Sequence, residues 1–184
     1  MAGVTARGTH DFDLQTLPEN CPSLSEAFCR MAAEACIVCL EEQGHSSGTT
    51  MEIRGLAEAA AKLSWQMLSA EVHDTYADPE AATEHGAIAI AMLTVRAFTA
   101  YRIVRRSMKG TGFDYWLSRD GARPYREDAR LEISGIRAGD ARQLNARIRQ
   151  KARQTDRSDG RLPAFIAVVE FGHPVSFLQQ RDAI

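Results

Sequence analysis

The chain has 184 residues, 45% of them apolar and 25% charged, with a formal net charge of −2. That length and apolar share suffice for one well-buried domain and exclude an intrinsically disordered chain. No membrane span is expected, because the longest apolar run, Ala87 to Val95, is interrupted by Thr94 and stopped by Arg96, well short of the roughly 20 residues a bilayer requires.

Residues 1–20 read as a polar N-terminal arm, and residues 21–184 as a single α/β domain. The arm has no basic segment followed by an apolar one, so a secretory signal is not expected and a cytoplasmic protein is. Pro22 and Ser23 open the first predicted helix, with Ser23 and Glu26 spaced as a capping box and apolar residues continuing to about Leu40. The turn residues Gly44 to Gly48 close it. Thr50 to Arg54 alternates as a strand does, while Leu56 to Tyr76 suits either a helix or a further strand around Lys62 to Met67.

The next boundary is sharper. Asp78 is a good N-cap, Pro79 falls where a missing amide proton is harmless, and Glu80 and Glu84 suit the positive end of the helix dipole. A long helix is predicted from there to about Ser107. Its middle is apolar nearly all round, which calls for a sheet on one side and another element or a second copy of the chain on the other. Arg102, Arg105 and Arg106 complete its last turn as dipole partners, or alternatively contact phosphate.

Beyond Gly110 and Gly112 the pattern changes to strands. Phe113, Tyr115 and Leu117 alternate with Asp114 and Trp116, and Leu131, Ile133 and Gly135 alternate with Glu132 and Ser134; a turn-rich connection predicts an antiparallel pair. Asp114 and Glu132 then share a face. Tyr115 and Trp116 suit core packing, with stacking on a base as the alternative. A helix is expected over 139–155, with Leu144, Ile148 and Ala152 as its apolar stripe. Pro163 to Phe171 reads as a strand buried on both faces, followed by a turn at His173-Pro174.

Charge is unevenly divided. Up to Tyr101 there are 5 Lys+Arg against 14 Asp+Glu, whereas residues 102–161 carry 16 against 8. Clustered cations gain by displacing counterions from a polyanion, so DNA or RNA is an expected partner, with Arg102, Arg105, Arg106, Arg147 and Arg149 as candidate contacts. A protein partner or a homo-oligomer is the alternative. The pair Cys36 and Cys39, with Cys29 and His45 nearby, lacks the second donor pair a structural zinc site uses and reads as helix packing. His85, beside Glu84, suits a site or a polar helix start equally. No Walker loop or Gly-x-Ser-x-Gly elbow is present.

The order of helix, Gly-x-Gly-Phe-Asp strand, Arg-x-Glu-x-Ser-Gly strand, helix and buried strand resembles the core of the restriction-endonuclease-like, or PD-(D/E)xK, superfamily over about residues 79–171. The resemblance implies a small mixed sheet flanked by helices, preceded here by an N-terminal helix and strand region. It also implies Mg²⁺ held by Asp114 and Glu132, with Glu84 as a loose match to the helix acid some members use. The family's lysine, which orients or activates water, is replaced by Ser134. Some members carry the lysine on the following helix, and Lys151 is the matching residue here, with Lys109 the other candidate. A metal-dependent nuclease is therefore one expectation; a non-catalytic binding or scaffold subunit of a bacterial defence or toxin-associated complex is the other.

Overall fold

A computed structural model describes residues 9–120, 123–156 and 161–182. Its first strand, β1 (Thr9–Asp13), is followed by a 3-10 turn over Leu14–Thr16 and a short helix α1 (Leu17–Asn20). The polar-arm expectation is thus corrected from Thr9 onward: Phe12, Leu14 and Leu17 are buried, and β1 pairs in parallel with β3 (Ala59–Ser64). Residues 1–8 lie outside the described residues. Helix α2 (Glu26–Glu42) is capped by Ser25, whose Oγ accepts the Phe28 amide, so the cap lies two residues past the predicted Ser23.

Strand β2 (Thr50–Gly55) agrees with the alternating pattern. The ambiguous stretch after it divides into β3 and a short helix α3 (Ala70–Thr75). Helix α4 (Pro79–Phe98) starts as expected, with Asp78 Oδ1 accepting the amides of Glu80 and Ala81 at 2.9 and 3.3 Å. It ends well before Ser107. Thr99 turns to an extended conformation and its hydroxyl donates to the Val95 carbonyl at 2.6 Å, after which the β-branched Ile103 and Val104 favour a strand. Arg102, Arg105 and Arg106 therefore sit on β4 (Arg102–Arg106), not in a helical last turn.

The remaining elements are β5 (Tyr115–Ser118), β6 (Ala129–Ile136), α5 (Ala141–Asp156), β7 (Ala164–Glu170) and β8 (Val175–Arg181). The periodicity of Val175 to Arg181 escapes a sequence reading that stops at the His173-Pro174 turn; that turn links β7 to β8. The described strands form one mixed sheet in the order β1-β3-β2-β8-β7-β6-β5-β4. Strands β4, β5 and β6 run antiparallel, and the crossover through α5 makes β6 parallel to β7.

One face of the sheet carries α2 and α4, the other α5. The larger core joins Cys36, Ile37 and Leu40 of α2 and Ile90 and Met92 of α4 to Leu131, Ile133, Phe165 and Ala167 of the sheet. The second flank of the apolar α4 is covered by α2: a Cβ on Gly86 would lie 2.9 Å from the Cys36 Cα, so the helices meet backbone to backbone. The smaller core sets Leu144 and Ile148, with Ala152, on Ile166 and Val168, which is the predicted stripe. Among the described residues no helix is long and apolar enough to cross a membrane, and Cys29, Cys36 and Cys39 are free and buried.

Candidate functional site: an acid pair under a basic helix

Strand β5 is short and β6 is long. Their ladder runs from Leu117 opposite Ala129 to Tyr115 opposite Leu131, and one further step in this register sets Asp114 opposite Glu132. Asp114 stands where β5 begins, and its Oδ2 accepts the backbone amide of Ile133 at 2.8 Å. A carboxylate thus takes over where β5 stops offering carbonyls. Among the described residues no strand pairs with the β5 side of β6 beyond Glu132, and Ile133 to Ile136 line a cleft of about 600 Å³ together with Asp114, the start of α4 and one side of α5.

Helix α5 supplies the basic wall. Asp140 and Gln143 cap its start reciprocally, at 2.8 and 2.9 Å. Arg147 and Lys151, one turn apart on the same side, reach two residues that share a face of β6. Lys151 Nζ lies 2.6 Å from Oε1 of Glu132, and Arg147 Nη1 donates to Ser134 Oγ at 2.8 Å and to the Gly135 carbonyl at 3.4 Å. Gln154 Nε2 adds a second donor to Glu132 Oε1 at 2.9 Å.

Glu132 is 1% exposed and lies behind the cleft lining, and its Oε2 has no hydrogen-bond partner among the described residues. Glu170, the other carboxylate buried among the described residues, is fully partnered by contrast. Glu170 accepts the amides of Gly139, Gly172 and His173 at 3.0, 2.7 and 2.7 Å and simply anchors a turn. Burial pushes the Glu132 carboxyl up to about 7; hydrogen bonding and charge from Lys151 pull against this, while the charge of Asp114, and the hydrogen bond the two carboxyls can share once one is protonated, push the same way as burial. Two facing carboxyls with one bare oxygen suit a shared proton or a cation. Mg²⁺, which takes one or two carboxylates and completes its shell with water and phosphate, fits this donor set. A cage made entirely of protein does not, since among the described residues no three His, Cys, Asp or Glu side chains group to hold a metal.

Of the other predicted residues, Glu84, His85 and Arg106 line the same cleft, but Glu84 does not complete a three-acid group with Asp114 and Glu132. Arg102 lies beside Asn20, Met92 and Ile103 on another surface. Arg105 is paired with Glu127, and Arg149 shares the outer side of α5 with Arg153. Lys109 is exposed in the turn after β4. Tyr115 is buried, and burial pushes its phenol up to about 12, with Arg106 lowering it and Asp114 raising it. Trp116 packs edge-on against Phe113 at 4.6 Å.

Three participants escape the sequence motif. Gln154, three residues after Lys151, is identifiable only once α5 is oriented. Arg137 lines the cleft just past β6, pairs with Glu42 and keeps a buried Nη1 without a partner among the described residues. Arg147 is legible as a cation but not as the partner of Ser134. Compared with protein-family models, with curated proteins and with solved structures, the chain gives no match.

Proposed function

We propose that this cleft is a restriction-endonuclease-like, metal-dependent nuclease site whose second acid, Glu132, is held by a lysine of α5. The observation that carries the reading is the 2.6 Å contact of Lys151 with Glu132, on a carboxylate set opposite Asp114 by strand register. The chain order that gives the resemblance, helix α4, strands β5 and β6, helix α5 and strand β7, also supports it, with β4 inserted ahead of β5.

In this reading Asp114 and Glu132 hold Mg²⁺, which when bound polarises a phosphate oxygen and lowers the pKa of a bound water. The Ile133 amide fixes Asp114. Lys151 and Gln154 fix Oε1 of Glu132, which leaves Oε2 as its free donor atom. Arg106 and Arg147 draw the phosphate backbone into the cleft, and Glu84 stands at the rim as an outer acid. The test is cleavage of labelled single- and double-stranded DNA and RNA in Mg²⁺ or Mn²⁺: the wild type cleaves at least one of them, and Asp114→Asn loses the activity by about 100-fold or more. Equal rates for the two proteins overturn the reading.

The same ion pair supports a second reading, a nucleic-acid-binding or scaffold subunit in which Lys151 is itself the cation of the acid pair. Oligonucleotide binding that is unchanged by Mg²⁺ and by Asp114→Asn, without cleavage, selects this one.

A further inference from the structure

Ser134 stands where the superfamily motif has its lysine, and a hydroxyl brings no charge to a phosphate in reaction. Its surroundings account for the substitution. Ser134 is 8% exposed, and the space a longer side chain would take holds the guanidinium of Arg147, which donates to Ser134 Oγ at 2.8 Å. Lysine at this position and arginine at 147 would compete for one place.

Lys151 does not fill that role. Its ammonium is committed to Oε1 of a nearly inaccessible carboxylate at 2.6 Å and is also within 3.4 Å of Gln154 Oε1. Arg147, which lines the open cleft together with Asp114 and Lys151, differs in its free donors: a guanidinium has five N–H groups, and among the described residues only its Nη1 is engaged, by Ser134 and Gly135. The planar fork suits bidentate contact with phosphate.

Resting on the nuclease reading above, we infer that Arg147 is the catalytic cation of this site: held by Ser134, its guanidinium meets the scissile phosphate in place of the motif lysine, and Lys151 is a positioning residue for Glu132. Ser134 is thus an adapted seat for a charge that arrives from α5.

The experiment relocates the charge. Single-turnover cleavage is measured on the full chain for the wild type, Arg147→Ala, Arg147→Lys, Ser134→Ala and the double variant Ser134→Lys/Arg147→Ala, with thermal melting to confirm folding. Arg147→Ala is expected to lower the cleavage rate at saturating substrate by about 100-fold, and Ser134→Ala, which loosens the guanidinium, by about 10-fold. The double variant, with its lysine restored to the strand, recovers at least about 10-fold over Arg147→Ala. A rate for Arg147→Ala within about 3-fold of wild type, a loss confined to KM, or no recovery in a folded double variant overturns the assignment. Were Arg147→Ala to melt early, Arg147→Lys decides: a rate equal to wild type overturns it, and a loss of about 10-fold, the fork being absent, supports it. A wild type that cleaves nothing sinks the nuclease reading itself, whereas an active wild type with an active Arg147→Ala sinks only the role of Arg147.

Discussion

Lys151 holds Oε1 of Glu132 at 2.6 Å, while the other oxygen of that buried carboxylate has no hydrogen-bond partner among the described residues. The pair is unequal: the Lys151 side chain is 19% exposed and that of Glu132 only 2%. Removing the lysine strands a charge that water does not reach, and the consequence depends on pH.

Lys151→Met is expected to destabilise the fold by about 2–4 kcal/mol at pH 8 and by much less at pH 5. The sign follows from linkage. Glu132 has its pKa raised from 4.5 to about 7 by burial and by Asp114, so the folded state binds the proton more tightly than the unfolded chain. The stability this gives is full below 4.5 and is lost as pH rises through about 7. Urea unfolding at the two pH values checks it, and Glu132→Gln should flatten the decline between them. An equal loss for Lys151→Met at both pH values contradicts the linkage.

Gly135 sets the width of the cleft. A Cβ there would lie 2.5 Å from the Thr83 carbonyl oxygen and 2.6 Å from Thr83 Cγ2, so β6 and the first turns of α4 approach as closely as backbone allows. Gly135→Ala is expected to cost about 1–3 kcal/mol by overpacking and to shift α4, with Glu84, away from Asp114. Thermal melting reads the first effect; a substitution that leaves the melting temperature unchanged contradicts the close approach.

Nucleic acid binding divides the five candidate arginines. Arg106 and Arg147 line the cleft, whereas Arg102, Arg105 and Arg149 point to other surfaces or are paired. Alanine at 106 or 147 should weaken oligonucleotide binding and lower the slope of log affinity against log salt by roughly one for each phosphate that is no longer neutralised. Alanine at 102 or 149 should leave that slope unchanged. Fluorescence anisotropy over a salt series checks both; equal effects at all positions mean that binding tracks total charge instead of the cleft.

Much of this arrangement is legible in the chain. Period-two alternation places Asp114 and Glu132 on facing strands, and the continuous apolar run of Ala164 to Val169 marks the buried strand. The errors have physical causes. Arg102 to Arg106 follow an apolar helix without a glycine or proline to stop it, and the stop comes from the Thr99 hydroxyl bonding back to Val95. Strand β1 hides in a polar segment because an edge strand buries few of its residues: of β1, only Phe12 is buried. The roles of Arg147 and Gln154 depend on the angle at which α5 crosses β6, and local pattern does not encode that.

The acid pair as a cation site is the claim on which the rest depends, and Mn²⁺ binding followed by electron paramagnetic resonance tests it without requiring turnover. Saturable binding of Mn²⁺ by the wild-type chain at neutral pH is expected, displaced by Mg²⁺ and abolished in Asp114→Ala and in Glu132→Ala. Wild-type protein that leaves Mn²⁺ free in solution, or both variants binding it as the wild type does, would contradict it.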